Sequence, residues 1–258
     1  MKFQLLPSSF GIDGCASPRQ HLACFVINDC VSIDAGSLAM AANCEQRNNI
    51  RDIILTHAHL DHIAGLPLFI DDLFAGLTEP IRIHAAAEVI EVLERDIFNW
   101  SIYPRFSELF NENGAIMEYK AFENGKEFCA RDLRFVAVSV NHKVPTVGLI
   151  VSDEKTSFAI TGDTAEMDDF WREVNKLDRL DALLIECAFP NELRDLAHVS
   201  HHLTPDCLKS EISKFKNETC PIYIINLKPM YYEEIVAQIA ELNIKNLQIL
   251  EVGKIYNW

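Results

Sequence analysis

The apolar positions of this 258-residue chain come in short runs separated by turn-forming residues, a pattern that predicts brief strands alternating with helices. Lys2 to Leu6, Leu22 to Asn28 and Cys30 to Asp34 read as strands, with Asn28-Asp29 as a hairpin turn. Phe10 to His21 is a loop rich in turn formers. Asp34-Ala35-Gly36 ends the hairpin, ahead of a short helix over Leu38 to Cys44. Ile50 to Leu55 is dominated by β-branched residues, and no charge recurs at helical spacing after Asp52, so a short buried strand is expected. Ile63, Leu66, Phe69, Ile70, Leu73 and Phe74 then predict a helix that begins at Asp61.

Further along, Ile81 to His84 reads as a strand and Ala86 to Arg95 as a helix of mixed polarity. Ala115 to Val140 alternates in a strand-like way, with Asn124-Gly125 as its hairpin turn and Leu133 to Val140 as its last strand. A second hairpin joins Val147 to Val151 with Ser157 to Thr161, and a helix follows over Ala165 to Leu177. Ala182 to Ile185 is a strand, and His198, His201 and His202 lie in the loop after it. Thr204 as N-cap and Pro205 at the first helical position open the next helix. Pro221 to Ile225 is a strand, Tyr231 to Leu242 a helix and Leu247 to Val252 a final strand. No repeat, low-complexity tract or linker interrupts this order, so a single domain over 1–258 is expected.

A hydrophobic fraction of 49% is ample for a buried core. No segment approaches the roughly 20 consecutive apolar residues of a membrane span, and the N-terminal run is too short for a signal peptide. Eight cysteines without CxxC pairing suggest reduced thiols and a cytoplasmic protein. The net charge of −15 argues against gripping a polynucleotide, which needs Lys and Arg to neutralise phosphates. A small substrate remains open, because bound metals supply a local positive field.

The chemistry concentrates in Thr56-His57-Ala58-His59-Leu60-Asp61-His62. His57 and His59 lie two apart and leave the same face of an extended backbone, while Asp61 and His62 stand at the turn into a helix. Imidazole and carboxylate are ligands that borderline divalent metals such as zinc accept, and a sharp turn can aim neighbouring residues at two centres. Farther on, His142 and Asp163 each stand where a hydrophobic strand stops, the placement of ligands carried to one sheet edge. Alone, His142 reads as a core histidine, but joined to the first motif it reads as a ligand; Asp163 is placed to bridge two metals, the plain alternative being the N-cap of the following helix. Ser17, Arg19 and His21 are candidates for substrate contacts in a loop that is otherwise a plain connection. The aromatic segment from Asp96 to Phe106 offers Phe98, Asn99 and Pro104 either to stack on and bond a purine base or to pack a lid or dimer surface.

The order His-x-His-x-Asp-His at 57–62, His142 and Gly-Asp-Thr at 162–164 resembles the metallo-β-lactamase superfamily. That resemblance implies an α+β, four-layered αββα sandwich with a dinuclear metal site at one edge. His59 to Leu66, Ile97 to Trp100 with Pro104, Glu186-Cys187-Ala188-Phe189, Leu196-Ala197 with His202-Leu203-Thr204-Pro205, and Leu227-Lys228-Pro229 resemble more narrowly the class II cyclic-nucleotide phosphodiesterases, relatives of RNase Z. The implied activity is hydrolysis of a 3′,5′-cyclic nucleotide, cAMP or cGMP, to the 5′-monophosphate by a metal-bound hydroxide. By the same resemblance His57, His59 and His142 hold one metal, Asp61 and His62 the second, and Asp163 bridges. Two divalent ions are implied, zinc first, with manganese or iron as alternatives.

Asn226 stands where that family usually has a histidine, so the second site is expected to be weak or differently built, unless His201 or His202 replaces the ligand. Glu186 would orient His202 as proton donor to the leaving oxygen. An RNase Z-like nuclease is the alternative, and a catalytically degenerate metal- or nucleotide-binding protein a third reading. A homodimer is expected from the related enzymes.

Overall fold

A computed structural model describes all 258 residues. The chain divides into two compact units, one of Met1–Pro18, Leu22–Glu123 and Val252–Asn257, the other of Arg19–His21, Asn124–Glu251 and Trp258.

The first unit is built on a seven-stranded sheet ordered Ile255–Asn257, Lys2–Leu5, Phe25–Ile27, Val31–Ile33, Asp52–Ile54, Ile81–Ala85, Met117–Ala121. Its first four strands are antiparallel, and from Val31–Ile33 onward the pairing is parallel. Val31–Ile33 and Asp52–Ile54 therefore deliver Asp34 and Thr56-His57 to the same sheet edge. The strand Asp52–Ile54 is buried throughout, and Ile53, Leu55, Ile63, Leu66, Phe69 and Ile70 share one core cluster.

The helix expected from Asp61 forms as two pieces, Leu60–Ile63 and Leu66–Leu73. Pro67 has no amide hydrogen to continue the first piece. Gly65 lies so close to the Ala35 carbonyl that a Cβ would stand 2.6 Å from it. The helix expected over Leu38 to Cys44 also splits, into Leu38–Ala41 and Cys44–Asn49. Asn43 and Gln46 form a reciprocal capping box that starts the second piece. Ala87–Val92 widens into a π-helical turn through Leu93–Ile97.

The second unit carries another seven-stranded sheet, ordered Leu247–Ile249, Ile222–Ile225, Ala182–Glu186, Ser157–Ile160, Val147–Ser152, Leu133–Ser139, Glu127–Ala130. Val147–Ser152 is antiparallel to both neighbours, and the three strands beyond Ser157–Ile160 are parallel to it. Leu133–Ser139, Ser157–Ile160, Ala182–Glu186 and Ile222–Ile225 consequently run in one direction. Asn141-His142, Gly162-Asp163, Glu186-Cys187 and Asn226 all follow from one edge.

Three expectations are corrected. Asn124-Gly125 is not the hairpin turn: Met117–Ala121 pairs in parallel with Ile81–Ala85, and the hairpin of Glu127–Ala130 with Leu133–Ser139 turns at Arg131-Asp132, with Arg131 at φ 53°. The helix after Asp163 spans Asp169–Val174 with Asp168 at its N-cap, so Asp163 does not cap it. His198 lies in a helix, Arg194–Ser200, rather than in a loop. The strand Ile255–Asn257, short and half-exposed, escaped the hydrophobic pattern altogether.

Candidate active site

In the first unit the histidines of the central motif are fixed by a hydrogen-bond chain that starts at Asp34. The Asp34 carboxylate accepts from Thr56 N at 2.9 Å, from Thr56 Oγ1, and from His62 Nδ1 at 2.6 Å. Because the Thr56 hydroxyl donates to Asp34, it accepts from His57 Nδ1, 3.0 Å away. Both imidazoles are thereby held with the proton on Nδ1 and a lone pair on Nε2, the atom a metal takes. The rings are crowded, His57 lying 4.6 Å from His59 and 4.1 Å from His62 between centroids.

Backbone bonds set the height of the turn. Ala23 N donates to Asp61 O and Ala35 N to His62 O, at 2.9 and 2.7 Å. Gly36 fits beneath because it lacks a side chain: a Cβ there would collide with the Asp61 carbonyl.

In the second unit, His142 Nδ1 donates to the backbone carbonyl of His201 at 2.9 Å, which again leaves Nε2 as the ligand atom. His201 adopts the left-handed conformation at φ 58°, closes the Arg194–Ser200 helix and holds Asn141 Oδ1 with its own ring. Asp163 is buried, and its ligand oxygen lies within 4.8 Å of a Glu186 carboxylate oxygen and of a His202 ring nitrogen. Asn226 turns its amide nitrogen onto Asp163.

The Glu186–His202 pair is the most constrained feature of this edge. Glu186 is fully buried, and its oxygens accept from Thr164 N at 2.7 Å, His202 Nδ1 at 2.7 Å and Leu203 N at 3.3 Å. Burial pushes the Glu186 carboxyl up, while those N–H donors stabilise its ionised form. Burial pulls the His202 imidazole down, but the adjacent Glu186 carboxylate outweighs it, so His202 holds its proton more firmly than an ordinary histidine. An imidazolium anchored at Nδ1 presents Nε2 as a proton donor.

Other sequence candidates are engaged in local packing and surface bonds. Phe98 is completely buried and packs on Phe106 at 5.7 Å between ring centroids. Asn99 bonds Arg95 O through its amide nitrogen and accepts from Ser101 N and Ile102 N, which uses the side chain to shape the turn. Pro104 is half-buried beside them, and Trp100 and Ile102 are the exposed members of the segment. Arg19 donates to Pro229 O and Glu233 on the surface of the second unit. Asp34 and Thr56 were missed by sequence reasoning; the one available signal was an aspartate at a strand end beside a glycine.

Each unit by itself offers donors of the kind divalent cations accept: imidazole nitrogens whose tautomers are fixed by second neighbours, with the Asp61 carboxylate in the first unit and the Asp163 carboxylate in the second. Residues 26–215 match the family described as the β-lactamase superfamily domain. A probable 3′,5′-cyclic-nucleotide phosphodiesterase of Yersinia pestis is 24% identical over 277 residues, covering 87% of this chain and 78% of its own. Among solved structures, unliganded yeast PDE1 superposes with a TM-score of 0.76 at 16% identity, over 98% of this chain and 97% of that one. The short form of human tRNase Z gives 0.68 at 15% identity, over 100% and 99%. These likenesses show the metallo-β-lactamase fold, the α+β sandwich class that the order of the motifs implied.

Proposed function

Because the chain belongs to the β-lactamase superfamily, we propose that it is a metal-dependent phosphodiesterase that opens 3′,5′-cyclic nucleotides to 5′-nucleoside monophosphates, with residues 1–258 acting as one hydrolase domain. His57, His59, His142 and Asp163 would hold one divalent ion, and Asp61, His62 and Asp163 the other, zinc being the first choice for a nitrogen-rich set. A bound pair of ions supplies positive charge for the phosphoryl oxygens and a nucleophile at neutral pH.

The protein's own part lies in proton handling. Opening a cyclic diester expels an alkoxide at the 3′-oxygen, a poor leaving group unless protonated as the bond breaks. His202 delivers that proton from Nε2 while Glu186, hydrogen-bonded at Nδ1, keeps the ring in place and stabilises its cationic form. The observation that carries this reading is the buried 2.7 Å Glu186–His202 bond on the sheet edge that also bears Asp163 and His142. Eight cysteines without CxxC spacing favour a reducing compartment, the cytoplasm, as the place of reaction.

The test is phosphorus NMR of metal-supplemented protein with cAMP and cGMP, in which the cyclic resonance should give way to that of the 5′-monophosphate. Removal of a tRNA 3′-trailer without any cyclic-nucleotide turnover would instead establish the endonuclease reading, against which the net charge of −15 stands.

A further inference from the structure

Beside His202, and wholly within the second unit, a cleft of about 470 Å³ opens between the helices Arg194–Ser200 and Pro205–Ile212. That volume lies in the range of small-ligand sites. Its lining includes His202 together with Glu166, Arg194, His198 and Asp206. The position has a chemical meaning that rests on the phosphodiesterase reading above. A general acid stands next to the group that departs, and in a cyclic nucleotide the departing 3′-oxygen belongs to the ribose that carries the base. The nucleoside therefore lies on the His202 side of the phosphorus, at the mouth of this cleft.

The charges inside select the kind of occupant. Glu166 and Asp206 place two carboxylates against the Arg194 guanidinium and the His202 imidazolium, so no surplus positive charge is left for a further phosphate and the cleft suits a neutral nucleoside. Arg194 reaches Asp206 at 3.1 Å, with the two side chains 60% and 54% exposed. A pair so exposed is weakly held, which leaves Arg194 able to turn to a ligand. Glu166 is exposed as well.

A guanidinium fork and a separate carboxylate match the two edges of guanine. Guanine offers acceptors at O6 and N7, which an Arg fork takes bidentately, and donors at N1 and N2, which a carboxylate accepts as a pair. Adenine presents an amino group where guanine has O6 and a bare acceptor at N1. It would set donor against donor at Arg194 and lone pair against carboxylate at Glu166. We propose that this cleft is the nucleoside subsite and that Arg194 and Glu166 make the protein prefer a guanine over an adenine cyclic nucleotide.

The test measures kcat/KM for cGMP and cAMP with the metal-loaded protein, alongside bis(p-nitrophenyl) phosphate, which has no base. The expected result is a preference for cGMP of about tenfold or more, the scale of one good bidentate base contact. Arg194→Ala and Glu166→Gln should each pull the cGMP to cAMP ratio towards one. Equal use of the two nucleotides, a preference for cAMP, or variants that lower both in proportion would overturn the assignment. If the aryl diester is cleaved but neither cyclic nucleotide is, the proposed activity fails by itself. The subsite is then judged by calorimetry with 5′-GMP and 5′-AMP: tighter binding of 5′-GMP, lost in Arg194→Ala, supports it, and equal binding refutes it.

Discussion

Asn226 gives an amide hydrogen to the Asp163 carboxylate, its Nδ2 lying 2.6 Å from Oδ1. A carboxylate oxygen only accepts, so the amide nitrogen rather than the amide oxygen must face it. Amide nitrogen has no lone pair for a cation, and the bond draws on the same Asp163 oxygens that a metal needs. Residue 226 sits at φ 57°, a conformation that Asn, Asp and His adopt most readily among non-glycine residues. A histidine should therefore be accommodated there. We expect the wild-type protein, after dialysis against a mild chelator, to retain one ion firmly and lose the second, and Asn226→His to retain both. Atomic emission on dialysed samples measures this; two firmly held ions in the wild type would remove the role given to Asn226.

Asp34 should matter to metal affinity without touching a metal. It anchors His62 Nδ1 directly and His57 through the Thr56 hydroxyl. Asp34→Asn keeps the shape and tolerates the φ of 57° at this position, but an amide cannot accept from both Thr56 and His62 as the carboxylate does. Loss of such an outer partner typically costs about 10–100-fold in metal affinity. Competition against a chromophoric chelator should show a loss of that size with the melting temperature of the metal-free protein little changed. Unchanged affinity would reduce Asp34 to a packing residue.

What the sequence disclosed and what it hid follow from how far each interaction reaches along the chain. His57 to His62 announce themselves because four ligand-type residues, three histidines and an aspartate, fall within six positions. His142 and Asp163 could be placed because each ends a hydrophobic strand, and strand direction then brings them to one edge. The Asp34–His62 bond joins residues 28 apart through parallel pairing of Val31–Ile33 with Asp52–Ile54, which no local pattern reveals. Phe98 and Asn99 were attractive as base contacts because an aromatic beside an amide can stack and bond. Only packing distinguishes a ring that is buried against Phe106 from one offered to a ligand. The Arg194–Ser200 helix stayed hidden because His198, His201 and the polar residues around them carry a loop-like composition.

His202→Ala should reduce cyclic-nucleotide turnover by about 10²-fold or more, the scale of general-acid catalysis. A proton donor matters in proportion to the basicity of the leaving oxygen. Against bis(p-nitrophenyl) phosphate, whose phenolate departs without protonation, the same variant should lose far less. Glu186→Gln should show the same selective loss, because the neutral amide stabilises the imidazolium poorly. Parallel turnover assays on the two substrates, with metal content checked by atomic emission, decide the matter. An equal loss on both, or loss of metal, would make His202 a ligand or a structural residue instead.

The last expectation concerns stability, away from the site. Asp52 is buried in the first sheet and accepts from Arg82 Nε at 2.8 Å, Arg82 Nη2 at 2.7 Å and His84 Nε2 at 2.8 Å, both partners lying on the neighbouring parallel strand. Burial alone would raise its carboxyl, but hydrogen bonds from Arg82 and then His84 outweigh it and hold Asp52 well below the usual carboxylate range. In the unfolded chain Asp52 takes up its proton near pH 3.9, at about the ordinary value. A depressed folded value thus contributes stability that is complete above that pH and drains away as the pH falls towards the folded value. Asp52→Asn removes the ionised partner of Arg82, a buried-pair loss of about 3 kcal/mol, discounted towards 2 kcal/mol because the Arg82 side chain is 21% exposed. Urea unfolding should show that gap between wild type and variant at neutral pH and a narrowing below about pH 4. A gap that stays constant across the acid range would mean that the carboxylate contributes shape rather than charge.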